Sequence, residues 1–264
     1  MAQSVAINVK GLDADGVILI PSTSPGFTSE IAGVLGPNPS AEIATLAQYS
    51  VVIKNRTANA IKGYSLRWTC IDRSGRSIYN SIHEDSFSSI RRGTTIKPGQ
   101  SRLITPFTAI DLPAIPTQAY SGIDLSKMTT QISGLSRMAS ITAAIDVVAF
   151  DNGKIVGPDE MNIVGLWRNK YAAQRAIALA ALTKRAQNEP YESIRAWVEA
   201  QARADEVFPD NATEYERFAG DSHWLQFYSR MTANRLAPLA RSSPTAFFEE
   251  VERLAKETVP MLYR

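Results

Sequence analysis

The chain has 264 residues, 44% hydrophobic and 20% charged, with a formal net charge of +2. That composition belongs to a folded globular chain and excludes extended disorder, and so small a net charge excludes an electrostatic footprint for DNA or RNA. One cysteine, Cys70, excludes an intrachain disulfide, and one cysteine with two histidines is too few for a Cys/His structural zinc site within one chain.

The first part of the chain alternates like strands. Val5, Ile7 and Val9 share a face, and Gly16 to Ile20 is a short apolar run. Pro21 to Ser40, rich in Pro, Ser and Gly, reads as a loop. Ala47 to Lys54 reads as a strand ending at the turn cluster Asn55 to Asn59. Ile61 to Asp72 then places Tyr64, Leu66, Trp68 and Cys70 on one face and Ser65, Arg67 and Thr69 on the other, the period of a half-buried antiparallel strand. Asp72-Arg73-Ser74-Gly75 closes it as a turn, and Ser77 to Ile82 continues as a strand.

Lys97-Pro98-Gly99-Gln100 is a further turn, because proline presets the first central position and glycine supplies positive φ at the second. Ser101 to Thr105 follows as a strand. Pro106 to Arg137 has no period and reads as a long loop, of the kind that often carries function. Ser140 to Phe150 is the strongest strand. Asp151-Asn152-Gly153-Lys154 predicts a tight hairpin with positive φ at both central residues, returning through Ile155 and Val156. Within that strand Asp146 is expected on the outward face, with Ile145 and Val147 on the opposite one.

After Gly157-Pro158-Asp159-Glu160 the period changes. Met161 to Ala186 predicts a long helix with Val164, Trp167, Tyr171, Ala178 and Leu182 as its stripe and Asp159 as its cap. Pro190 marks a second helix, with Ile194, Trp197, Val198 and Ala202 inward. A third helical region spans Thr213 to Leu236, interrupted at Gly220-Asp221-Ser222. Ser243-Pro244 opens the last helix, packing through Phe247, Phe248, Val251 and Leu254. The aromatic residues Trp167, Trp197, Trp224, Phe227 and Tyr228 are expected in the core of these helices. The fold class is therefore α+β: an antiparallel β-sandwich over residues 1–157, then about four helices over 158–264.

Three stretches carry a resemblance. They are Tyr49 to Thr57 running on into Tyr64-Ser65-Leu66-Arg67-Trp68 with its inward tryptophan, Lys97 to Ser101, and Ala144 to Gly153. Over residues 45–156 they resemble the immunoglobulin-like or fibronectin-III-like modules of many bacterial proteins, often uncharacterised ones. The resemblance implies a sandwich, and adhesion, ligand binding or scaffolding more often than catalysis. The antibody-type disulfide is absent.

The chemical inventory is thin. His83-Glu84-Asp85 is the densest ligand-capable triplet and is expected in a loop just after a strand, where it is a weak metal candidate against the reading of a solvated loop. Asp221-Ser222-His223 has hydrolase-type side chains, but its plainer reading is a helix start capped by Asp221 or Ser222. No Gly-x-Ser-x-Gly, phosphate-binding glycine loop, dinucleotide fingerprint or His-Glu-x-x-His is present. Cys70 reads as a buried inert thiol. The sequons at Asn55 and Asn211 are explained by turn and cap chemistry.

No catalytic residue, cofactor or nucleic-acid partner is therefore expected. No membrane span is expected either, since the most apolar stretch, Ala176 to Leu182, is far too short. Met1-Ala2-Gln3-Ser4 fits a cytoplasmic start at Met1, or an exported or periplasmic chain if a leader was trimmed before Ala2. The function expected is a non-catalytic binding or structural module acting through protein–protein contacts with a partner or a second copy. Its contact residues are expected in the long loop: Ile110, Leu112, Ile115, Tyr120 and Ile123. The alternatives are a hydrolase-type enzyme using carboxylates with His83 or His223, and a self-assembling shell or filament subunit.

Overall fold

The computed structural model describes residues 5–35, 41–87, 95–106, 109–110, 133–203, 222–256 and 261–264. The protein is α+β and divides into two compact units, Met1–Met161 together with Leu262–Arg264, and Asn162–Met261.

The first unit holds two sheets. One has the order β1 (Ala6–Lys10), β8 (Met138–Phe150), β4 (Ile61–Asp72), β5 (Ser77–Asp85), with β9 (Ile155–Val156) also on β8. The other has the order β2 (Val17–Pro21), β3 (Val51–Asn55), β6 (Ser101–Ile104), β7 (Ala109–Ile110). The first sheet is mixed, which corrects the all-antiparallel expectation: β1 runs parallel to β8, with Ala6 opposite Ser140 and Lys10 opposite Ala144. After Lys10 the chain leaves for β2 in the other sheet, so no hairpin dictates the direction of β1.

The alternation of β4 holds. Tyr64, Leu66, Trp68 and Cys70 are buried, and they share one core with Val17, Leu19, Val51, Ile53 and Ile104 of the second sheet. The reverse face of the second sheet is also covered. Val52 and Leu103 pack with Ile20 of β2 and with Phe27, Ile31 and Ala47, the last three brought there by α1 (Phe27–Leu35) and α2 (Ala41–Ala47).

Two expectations fail here: the loop assigned to Pro21–Ser40 contains α1, and the strand expected from Ala47 begins only at Val51. Helix propensity over Thr28, Ser29 and Gly33 costs about 2 kcal/mol relative to alanine. Burying one large apolar side chain such as Phe27 returns about 1.5–3 kcal/mol, and Ile31 follows one turn later on the same side. Packing on the sheet therefore outweighs a composition that reads as loop.

Two features of β8 depart from expectation, a bulge within it and the turn that follows it. Ser65 pairs with Val147 and Leu66 with Ile145, which leaves Asp146 as the extra residue of a β-bulge. The bulge breaks the alternation, so Ile145 and Val147 lie on opposite faces and Asp146 is buried, 2% exposed. In the β8–β9 hairpin only Gly153 has positive φ. Its amide donates to the Phe150 carbonyl at 3.0 Å, the arrangement of a turn followed by a left-handed glycine. The Asn152 Oδ1 accepts from the Lys154 amide at 2.9 Å.

The second unit contains α3 (Ile163–Ala186), α4 (Tyr191–Arg203), α5 (Ser222–Ser242) and α6 (Pro244–Lys256). Ile177, Ala181, Ile194, Val198, Leu236, Phe247 and Leu254 form its core. The Tyr191 hydroxyl donates to the Ala240 carbonyl at 2.8 Å, fixing the start of α4 beside the end of α5. Asp159 does not cap α3: Asn162 holds the N-cap position without a side-chain bond, and Asp159 is a positive-φ turn residue. The helix expected to stop near Leu236 continues through Pro238, because Ala237 and Ala240 beyond it are buried in the core. Ser243 caps α6, its Oγ accepting from the Ala246 amide at 3.2 Å. Among the described residues no helix is long and apolar enough to cross a membrane.

Candidate functional site

Strand β5 gathers the residues with the most chemical interest, and its two halves differ. The turn that starts it is built by Asp72, whose Oδ1 accepts from the Ser74 hydroxyl at 2.6 Å, the Ser74 amide at 2.9 Å and the Arg76 amide at 2.9 Å. The Ser74 hydroxyl first, then the Arg76 amide, hold this carboxyl below its ordinary value. A carboxylate so engaged shapes the turn and is poorly suited to proton transfer.

The far half of β5 holds the triplet. The expectation of a loop is corrected, since His83, Glu84 and Asp85 are all within the strand, opposite Ser65, Tyr64 and Gly63 of β4. Successive side chains of a strand point to opposite faces, so His83 and Glu84 do not converge. His83 is exposed on the outer face. Glu84 faces the core side, where its Oε2 meets Arg102 Nη2 at 2.8 Å and accepts from the Tyr64 hydroxyl at 3.1 Å.

Arg102 reaches this point from β6 in the opposite sheet and is only 6% exposed. Its guanidinium also stands 5.7 Å from the centre of the Tyr64 ring. This inter-sheet pair anchors the end of β5. Sequence reasoning missed it, although Arg102 shares its strand face with Ile104 and so occupies an inward position. Among the described residues no group of three or more His, Cys, Asp or Glu side chains is placed to hold a metal.

The near half of β5 is open. Ile78 is 42% exposed and Tyr79 is 70% exposed. Among the described strands, β5 is bonded to β4 alone. The Asp72 amide donates to the Arg76 carbonyl at 3.0 Å and the Ser86 amide to the Lys62 carbonyl at 2.6 Å. Those bonds fix the phase of the ladder: even-numbered β5 residues bond to β4, and the backbone groups of Ser77 and Tyr79 point away from it. The β4–β5 pairing runs without a register shift, unlike β4–β8, which has several. Ser77 to Ile82 contains no charge, proline or glycine.

The other predicted sites are dispersed. Ile110 lies in β7, and Leu112, Ile115, Tyr120 and Ile123 fall outside the described residues. Ser222 and His223 open α5, as the helix-start reading expects, while Asp221 and these side chains are outside the described set. Cys70 is buried, and burial pushes its thiol above the ordinary range. Asn55 is fully buried, its amide nitrogen donating to the Asn59 and Ile96 carbonyls at 2.8 and 2.9 Å. Its sequon is therefore turn chemistry in the folded chain. Asp146, conceivable as an acid or base, is used by the backbone: Oδ1 accepts from the Glu160 amide at 2.9 Å and Oδ2 from the Met161 amide at 3.3 Å. Trp167 is buried as expected, but Trp224 is 39% exposed, so the aromatic stripe at the start of α5 is only partly core.

Comparison of the chain with protein-family profiles, curated proteins and solved structures finds no match.

Proposed function

We propose that this chain is a non-catalytic binding or scaffolding module that engages protein through the exposed start of β5, at Ile78 and Tyr79. The observation that carries the reading is the exposed pair Ile78 and Tyr79 on a strand that is bonded to β4 alone among the described strands, whose ladder is regular and whose first six residues are uncharged. Natural sheet edges carry lysine, proline or a bulge to prevent pairing. An edge lacking all three is suited to strand addition, in which main-chain bonds supply affinity and alternate side chains supply selectivity.

An immunoglobulin-like relationship of the first unit fits the same role. In its favour, β3 and β6 lie in one sheet and β4 and β8 in the other, with Trp68 fully buried between them. The parallel β1–β8 pair and the lone cysteine are departures from the antibody-type pattern.

The test is selection of peptides from a random library against the folded full-length chain. Extended peptides with alternating apolar residues are the expected class, and Tyr79→Lys abolishes their binding. Recovery only of peptides that bind Tyr79→Lys as well as the parent overturns the reading, as does loss of a measurable turnover in His83→Ala or His223→Ala.

A further inference from the structure

We infer that the side of β9 away from β8 is a peptide-acceptor site, filled in this chain by its own residues 262–264 and open to exchange with an extended partner segment that carries a large apolar residue and, two places on, an arginine. The site is separate from β5 and does not rest on the reading above.

Strand β9 is bonded to β8 on one side, with Val156 opposite Val148 and Ile155 opposite Ala149. On its other side Tyr263 lies parallel to Lys154. The Tyr263 amide donates to the Gly153 carbonyl at 3.0 Å, and the Ile155 amide donates to the Tyr263 carbonyl at 2.7 Å. Side chains of the segment alternate as those of a strand do: Met261 and Tyr263 are exposed, and Leu262 between them is buried. Arg264 Nη2 then donates to the Pro158 carbonyl at 3.1 Å. Main-chain bonds for affinity and one enclosed side chain for selectivity are the parts of recognition by strand addition.

The acceptor is held by bonds that do not involve the segment. The Gly153 amide donates to the Phe150 carbonyl at 3.0 Å, and the Phe150 amide to the Lys154 carbonyl at 2.9 Å. Pro158 sits between Gly157, which is pressed on the backbone of Asp146, and Asp159, whose amide donates to the Asp146 carbonyl at 3.0 Å. The carbonyls that receive Tyr263 and Arg264 are thus fixed by β8 and its hairpin. A site organised in advance binds without a large ordering cost of its own.

The occupant is tied in differently. Residues 262–264 belong to the first unit, yet the chain reaches them only after the whole of the second, Asn162–Met261. The two main-chain bonds are a small gain against the freedom that each ordered residue loses. Segments so held open locally while the body stays folded. Opening leaves the Gly153 carbonyl and the Ile155 amide for another strand to take.

The test uses a fluorescent peptide with the sequence of residues 258–264 and the full-length chain in three forms: parent, Tyr263→Pro and Leu262→Asp. Tyr263→Pro removes the donor to Gly153, and Leu262→Asp places a charge at the buried position. The parent is expected to bind the peptide weakly, because the attached segment competes at a high effective concentration. Both variants are expected to bind it at least about tenfold tighter, and a peptide bearing the Leu262→Asp change is expected to lose that binding. Hydrogen exchange of the Ile155 amide should quicken in the variants and slow again when peptide is added.

Circular dichroism checks that each variant folds, and should Leu262→Asp unfold, Tyr263→Pro alone decides. Unfolding of both shows that the segment is integral to the first unit and overturns the inference. It is overturned equally by variants that bind no tighter than the parent, by binding indifferent to the leucine of the peptide, or by an Ile155 amide that the peptide does not slow.

Discussion

Gly157 approaches the backbone of Asp146 so closely that a Cβ on the glycine would sit 2.5 Å from the Asp146 carbonyl oxygen. The glycine also has φ +102°, a conformation that L side chains avoid. The chain leaving β9 is thus pressed against the bulge of β8, and the Asp159 amide completes the contact by donating to the same carbonyl at 3.0 Å. Gly157→Ala is expected to destabilise the first unit by about 2–4 kcal/mol, combining strain with overpacking. Urea unfolding followed by tryptophan fluorescence measures it, and a change within experimental error would show that the glycine is dispensable.

Asp146 itself supports this junction through the amides of Glu160 and Met161. Asp146→Ala leaves these donors without their acceptor and is expected to cost about 1–3 kcal/mol. Asp146→Asn retains one acceptor oxygen and is expected to cost less. Equal losses in the two variants, by the same unfolding measurement, would contradict a hydrogen-bonding role.

The Arg102–Glu84 pair predicts strong coupling. Glu84→Gln removes the charge facing a buried guanidinium, and Arg102→Met removes the cation facing Glu84. Each single change is expected to cost about 3–5 kcal/mol, because it leaves one charge in the interior uncompensated. The double variant is expected to lose much less than the sum, and a double-mutant cycle reports the difference. Simple additivity would mean that the two groups do not act together.

Acid sensitivity follows from two glutamates, one in each unit. Glu30 is held below its ordinary value of 4.5 by hydrogen bonds from Lys54 and then Ser101. Burial of Glu250 pushes its carboxyl upward, but hydrogen bonds from Arg253 and Arg235 outweigh this, so it too lies below its ordinary value. A carboxyl whose folded pKa is depressed contributes stability that is full above its unfolded value and is lost as pH falls through the folded one. Stability should therefore fall below about pH 4.5, the ordinary value for these groups. Replacing both by glutamine should flatten that part of the profile, and thermal unfolding at stepped pH would reveal an unaltered slope if the pairs contribute nothing.

Much of the first unit was legible because strand periodicity is a local property. The alternation of Tyr64, Leu66, Trp68 and Cys70 predicts β4 with its observed bounds, and the Lys97–Gln100 turn follows from proline and glycine chemistry, with Gly99 at φ +75°. The starts of α5 and α6 were likewise readable, from Ser222 and Ser243-Pro244. Of the candidate site, His83, Glu84 and Asp85 were visible as a triplet, but their setting was not.

What remained hidden depends on residues far apart in the chain. Helix α1 forms because a sheet assembled from β3 and β6 offers Val52 and Leu103 to Phe27 and Ile31. The bulge at Asp146 arises from the register of β8 on β4, and the charge of Glu84 is met by Arg102 from another sheet. Period and turn residues, set by bonded geometry over a few positions, were determined by the sequence alone. Strand partners, edge position and the fate of buried charge were decided only in the tertiary structure, because their energies come from surfaces that exist once distant segments have met.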